Sequence, residues 1–403
     1  MYVLDKYTND PSVTQFRSSR GRVDWIARNA RRLRLTFSHH RYAKTSPPER
    51  TFFSEDRTPF YQDACRQIPE TEIINLHWVA EFLDLGAFFG WLPGGIPLIW
   101  TLHDMGSFTG GCSQAMGCGK FTEQCGACPQ LGSPDEGDLT RDVWHRKQKY
   151  YSALDTKKFH IVTPSRWLGE EVKRSPLLSR FPRSVIPYGL DLEVFKPRDR
   201  RFSREVLGIP QDAKVILFVS NGLHTHLKGF KHLVGALEDM DSSSGIFLLC
   251  LGFGSSPALE RFPHMHITSM TDDRPLSMVY SAADVFVLPS LADNLPNTML
   301  EALACGTPVV AFATGGIPDG VRPGVTGLLA KSGDSSELRA AILEILGNDP
   351  KRAEMSANCR RIALAEYDLS VQASRYMEVY TGMSRRGASM SVNGAAAHRG
   401  ASK

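Results

Sequence analysis

The stretch VFVLPSLADNLPNTMLEALACGTPVVAFATGGIPDGV, residues 285–321, decides the fold of this chain. Val285–Leu288 is a short apolar run with the length of a buried strand. It leads into a polar loop that carries Asp293 and Asn294. A helix opens near Asn297 and holds Glu301 in its first turns. After Gly306 a second apolar strand, Pro308–Phe312, leads to the Gly315–Gly316 loop. A strand that feeds a helix N-terminus aims free backbone N–H groups and the positive end of a dipole at one point, which suits a phosphate. Asp293 and Glu301 stand eight residues apart across that turn, where carboxylates can grip sugar hydroxyls. The ligand implied is a sugar attached to a diphosphate.

On these residues the segment resembles the donor-site signature of the retaining glycosyltransferases of family 4. The run PNTMLEALACGTPVV, 296–310, is specific as a string, and the likeness continues in motif order from about Ile73 to Val379. The resemblance implies a GT-B fold: two α/β, Rossmann-like domains whose parallel sheets face a central cleft. In that family two acids eight positions apart flank the nucleotide-sugar. Here the first is Asp293, where Glu is usual, and an Asp is one methylene shorter.

Working outward, apolar runs alternate with helical patterns along the whole chain, the signature of parallel α/β sheets. Strands are expected near Ile73–Leu76, Ile96–Leu102, Ile161–Thr163 and Ser184–Pro187. A second series is expected near Val215–Ser220, Phe247–Leu251, His266–Thr268, Val285–Leu288 and Pro308–Phe312. The arginine-rich stretch Asp191–Ser203 between the two series reads as a linker. These patterns place an acceptor-side domain at 1–189 and a nucleotide-sugar domain at 190–365. The resemblance implies a last helix, 366–382, crossing back onto the first domain. From Met383 the chain is poor in core-forming residues, so 383–403 is expected to be disordered. The family usually opens with a strand, a glycine-rich loop and a long helix. Here MYVLDKYTNDPSV resembles the family's second strand, so that first unit is expected to be missing.

Two regions supply the remaining chemistry. His103 ends the Ile96–Leu102 run, in TLHDMGSFTGG, where ligands of open α/β sheets collect. The resemblance gives it the donor sugar and the charge of the transition state; Asp104 beside it is read either as a site residue or as a loop cap. Lys228, in SNGLHTHLKGF, is read either as a phosphate cation or as a solvated helix entry. Gly222 and Gly229 would let backbone approach the diphosphate. The family usually adds an arginine at one of two places, occupied here by Leu223 and Leu227, and His224 or His226 could substitute. Asn294, Leu295, Asn297 and Thr298 complete the donor turn, and the loop at Ser269–Met270 is assigned the base. Thr298 and Glu301 also spell a T-x-x-E capping box, a purely structural alternative to gripping the ribose.

With 403 residues, 42% hydrophobic and 22% charged, the composition is that of a soluble two-domain globular protein. The net charge is +4, yet residues 16–50 alone carry ten Lys/Arg against two acids. That patch, with Trp25, Ile26, Leu33, Leu35 and Phe37 among its arginines, reads either as a surface for anionic lipid or as a solvated helix. No nucleic-acid partner is expected. The uncharged run Leu85–Leu102 is broken by Pro93, Gly94, Gly95 and Pro97, which argues against a membrane span. No secretory signal is read at Met1, so the expected location is cytoplasmic, at most peripheral on the inner face of the membrane.

Cys112, Cys118, Cys125 and Cys128 have the spacing C-x5-C-x6-C-x2-C. In a cytosolic protein this admits structural zinc, free thiols or a redox-labile bridge. The resemblance places such a loop, after the HDM tripeptide, in an exopolysaccharide- or lipopolysaccharide-type branch of the family. It also implies a hexosyltransferase in cell-surface polysaccharide synthesis, using a UDP- or GDP-sugar and a glycan or lipid-linked acceptor. No donor-site metal is needed there, since a lysine and a helix terminus provide the positive charge. A truncated remnant that binds the nucleotide-sugar without turnover is the alternative. An NAD enzyme is excluded, because Pro257 stands where the third glycine after Gly252 and Gly254 belongs.

Overall fold

The computed structural model describes residues 1–18 and 21–397, with side chains through residue 384. It contains two compact units. The first comprises Met1–Thr163, Leu168–Val185 and Met377–Lys403; the second comprises Pro164–Trp167 and Ile186–Tyr376.

The second unit is built on six parallel strands. In spatial order they are Gly327–Ala330, Val309–Phe312, Val285–Leu288, Lys214–Gly222, Ile246–Phe253 and His264–Ile267. Strand side chains alternate between faces, so a sheet covered on both sides needs apolar residues throughout. Val215, Leu217 and Val219 enter one core, with Phe286, Leu288, Val309 and Ala311. Ile216 and Phe218 enter the other, with Val285, Val287, Val310 and Phe312. Both faces are dry, which is why these strands read as unbroken apolar runs. The strand order reverses between Lys214–Gly222 and Val285–Leu288: the chain builds outward from the first in one direction, then returns to its other side. Ligands of such sheets bind beyond the carboxyl ends of the strands at this reversal.

The first unit has a parallel sheet of four strands in chain order: Ile74–Leu76, Leu98–Thr101, Phe159–Thr163 and Arg183–Val185. Tyr2–Val3 does not join it. That segment pairs with Thr14–Gln15 in a separate two-stranded ribbon. The uncharged run at 85–102 divides into a helix, Leu85–Trp91, and the strand Leu98–Thr101. Among the described residues no helix is long and apolar enough to cross a membrane.

Two readings of the sequence differ from the structure. The stretch taken as a linker is packed onto the second unit: Leu192 and Phe195 lie in its core, and Arg198 bonds Ser277 and Ser281. Within it Arg200 pairs with the buried Asp284, while Arg201 is exposed. Just past the stretch, Arg204 is buried and holds Asp284 at 2.9 Å, as well as the carbonyls of Gln211, Ala213 and Ala282. In addition, the helix that starts at Leu369 continues through Met383 to Ala397. Its alanines favour that state; residues 398–403 of the expected disordered tail lie outside the described residues.

Candidate functional site

At the strand reversal two loops meet. One follows Lys214–Gly222 and carries Lys228; the other follows Val285–Leu288 and carries Asp293 to Pro296. Backbone stitches them, since the Leu291 N–H donates to the Leu227 carbonyl at 2.8 Å. Gly229 takes φ +68 and leaves no room for a Cβ against the Pro289 carbonyl oxygen. Glycine is required there on both counts. The result brings the Lys228 Nζ to 2.6 Å from Asp293 Oδ2, with both side chains partly open to solvent.

The turn itself is packed from behind. Asn294 is buried, and its Oδ1 accepts from the Ser165 hydroxyl at 2.5 Å. Leu295 is a core residue, so only its backbone remains for a ligand. Gly315 and Gly316 press against the carbonyls of Asp293 and Asn294, and the Gly316 N–H donates to Asp293 at 3.2 Å. The helix Asn297–Ala304 then starts after Pro296, with no side chain capping its N-terminus. The T-x-x-E capping box is therefore not formed. Asn297 is exposed and Thr298 half-buried at the open end of this helix. An uncapped helix start leaves backbone N–H groups that suit an anion.

Glu301, in this helix, is held from behind: its Oε2 accepts from the buried Tyr280 hydroxyl at 2.7 Å. Burial raises the carboxyl above the usual range, Tyr280 opposes that shift, and Asp273 adds to it. A folded-state pKa above the unfolded one means that the folded protein binds the proton more tightly. This group's contribution to stability is therefore fully present below the unfolded pKa and lost as pH rises. Glu301→Gln should leave the ligand-free protein at least as stable as wild type at pH 7, while weakening the nucleotide-sugar about tenfold. Urea denaturation and titration calorimetry read the two quantities separately; unchanged donor affinity would refute the ribose role.

The remaining donor-side residues are less uniform. Gly222 ends its strand at a bulge, and its N–H donates to the Ser220 hydroxyl oxygen at 3.3 Å. Leu223 is buried in the core and Leu227 is half-buried. His224 is exposed and lies against Gly254; His226 is half-buried. Met270 packs on the core with its side chain.

His103 lies in the first unit, just beyond the Leu98–Thr101 strand. Its Nε2 is 3.0 Å from Nδ1 of His77, a partner that the sequence reading missed. Burial, then His77, pushes its pKa down to about 4. Asp104 caps its own loop, accepting from the Gly106 N–H at 2.7 Å and from the Trp78 indole at 3.2 Å. Behind them Lys147 is buried and donates to the carbonyls of Gly106 and Thr109 at 2.5 and 3.0 Å. It fixes the loop that holds His103 and Asp104. A depressed histidine stays neutral in the folded state, while the unfolded histidine titrates near its ordinary value. Stability should therefore fall as pH drops from 6.5 towards 4, by on the order of 1–2 kcal/mol after solvent screening. His103→Gln should flatten that part of the pH–stability curve; an unaltered curve would contradict the assignment.

The four clustered cysteines border one small concavity in the first unit. Among the described residues no group of three or more His, Cys, Asp or Glu is placed to hold a metal ion, so of the three readings of this loop the zinc one is not supported. All four are free thiols. Burial raises Cys112 to about 12 and Cys125 to about 11. The loop is held instead by Lys120, which donates to the carbonyls of Gly126 and Ala127 at 3.0 and 3.1 Å.

Residues 213–348 match the family described as glycosyl transferases group 1. The chain is 32% identical over 313 residues to the D-inositol 3-phosphate glycosyltransferase of Thermobispora bispora, covering 72% of this chain and 67% of that protein. It is 34% identical over 203 residues to the D-inositol 3-phosphate glycosyltransferase of Geodermatophilus obscurus, covering 44% of this chain but only 43% of that relative's length. Among solved structures, sucrose-phosphate synthase from Thermosynechococcus elongatus matches with a TM-score of 0.58 at 23% identity, covering 77% of this chain and 73% of that one. Anabaena Alr3699/HepE in complex with UDP matches with a TM-score of 0.58 at 17% identity, covering 80% and 82%. At these identities the structural likeness speaks for the fold alone: GT-B, with two Rossmann-like units. By sequence, over two thirds of a relative's length, the chain belongs to the glycosyl transferases group 1 family.

Proposed function

We propose that the protein is a retaining glycosyltransferase that moves a hexose from a nucleotide-diphosphate sugar to a glycan or lipid-linked acceptor in cell-surface polysaccharide synthesis. One observation carries the donor half of this reading: the uncapped helix start at Asn297 and the Lys228 ammonium flank the same turn at the strand reversal. The Asn294–Thr298 backbone and Lys228 take the two phosphates, with Gly222 and Gly229 allowing close approach. Glu301 takes the ribose, Asp293 the transferred sugar, and the Met270 backbone the base. His103 carries over from the family resemblance as a group for the sugar. In the same-face reaction the diphosphate departs and accepts the acceptor's proton, so the enzyme needs no nucleophile of its own. UDP and GDP both suit the phosphate site; the Anabaena structure of the same fold holds UDP.

The acceptor has a second reading, a phosphorylated polyol, favoured by the names of the relatives at 32% and 34% identity. A panel of nucleotide-sugars screened by thermal shift tests the donor. A ligand at about a hundred times its dissociation constant should add roughly 2.7 kcal/mol of stability. No shift with any UDP- or GDP-sugar would overturn the proposal. A shift without transfer to any acceptor would favour a binding-only remnant. For a sugar that is transferred, the anomeric configuration of the product, read by NMR, decides between retention and inversion.

A further inference from the structure

We infer that the helix Arg22–His40 is a docking surface for an anionic lipid bilayer, on which it lies lengthwise. None of its residues is buried. One face is nevertheless fastened to the protein. Arg31 donates to the Pro59 carbonyl and stacks on Tyr61, Ser38 donates to Glu55 at 2.6 Å, and His39 pairs with the same carboxylate at 3.2 Å. The opposite face carries Val23, Ile26, Ala30, Leu33 and Phe37, spaced three, four, three and four residues apart. That spacing aligns them in a single stripe. The large members of the stripe are 54% to 79% exposed, and Trp25 nearby is 58% exposed. A stripe of this length normally disappears into a core; here it faces outward.

The charges select the occupant. The helix has five arginines and one acid. By helical position Arg22 and Arg34 border the stripe, while Asp24 is set about 100° round the helix from Val23. An apolar stripe edged by arginines matches the boundary between acyl chains and anionic head groups. Pairing with a second copy would instead set Arg22 and Arg34 against like charges, where paired helices place opposite ones. A soluble acidic protein would leave the stripe's apolar length without a matching slab. The inference is independent of the donor site and stands or falls separately from it.

Flotation of the full chain with vesicles of phosphatidylglycerol and phosphatidylcholine, against phosphatidylcholine alone, tests it. The protein should float with the anionic vesicles, weakly with the neutral ones, and less as salt rises. The double substitution Leu33→Glu and Phe37→Glu should cut bound protein at least tenfold, and Arg34→Glu several-fold on anionic vesicles only. Both variants should melt like wild type, since all three residues are exposed. Absence of binding to anionic vesicles, or equal binding by the double variant, would overturn the inference. So would a dimer in sedimentation that the double variant abolishes.

Discussion

Replacing Lys228 by alanine is expected to lower kcat/KM for the nucleotide-sugar by about 100- to 1,000-fold, the usual cost of removing one preorganised group from developing charge. The ion pair explains why the loss should exceed that of a simple surface lysine. In the ligand-free protein Asp293 holds the ammonium at 2.6 Å, beside the helix start, so the cation is already positioned when the diphosphate arrives. Without the lysine, the Asp293 carboxylate would face the diphosphate uncompensated, and like charges would repel. Two consequences separate this from general damage. Asp293→Asn placed on Lys228→Ala should recover part of the donor affinity, a coupling that a double-mutant cycle measures directly. Lys228→Arg should restore charge but little turnover, because a planar guanidinium cannot occupy the position of a compact ammonium. Equal donor affinity in Lys228→Ala and wild type would sink the phosphate assignment.

What could be read from the chain follows a physical division. The strand Val285–Leu288 has the boundaries its pattern indicates and the next helix starts at Asn297 as read, because burial on both sheet faces or on one helix face imposes a period on the sequence. Gly327–Ala330 was missed: four residues beginning with glycine carry too little pattern to be told from a loop. The partners of the site residues were missed for a different reason. Tyr280 is 21 residues from Glu301, His77 is 26 from His103, Lys147 is 41 from Gly106 and Ser165 is 129 from Asn294. Nothing local marks such pairs; the parallel crossovers bring them together. Arg200 makes the same point in reverse. Its stretch, Asp191–Ser203, reads as a linker by composition, and only the tertiary fold reveals the buried carboxylate of Asp284 that it pairs with.

Substituting alanine at Gly315 or Gly316 is expected to be as damaging as removing Lys228, although neither glycine has a side chain to offer a ligand. At Gly316 the backbone is ordinary, so conformational freedom is not the issue. A Cβ there would enter the space of the Asn294 carbonyl oxygen and come within 2.6 Å of the Ser165 Cβ. Neither neighbour can yield cheaply: one is backbone of the donor turn, and the other is a buried residue bonded to Asn294. At Gly315 a positive φ of +53 adds strain of roughly 1 kcal/mol to a clash with the Asp293 carbonyl. Either substitution must therefore push the 293–297 turn outward. A displacement of about 1 Å at such a turn costs on the order of a hundredfold in rate. Overpacking of this kind destabilises the fold by about 1–3 kcal/mol. Gly324→Ala supplies the control. Its φ of +76 imposes the same backbone strain, but nothing lies within 4 Å of the added methyl group. It should lose about 1 kcal/mol of stability and keep full donor affinity. Thermal melts and donor titrations of the three variants resolve the two effects. If Gly316→Ala bound donor as tightly as Gly324→Ala, the 293–297 turn would not be the phosphate site.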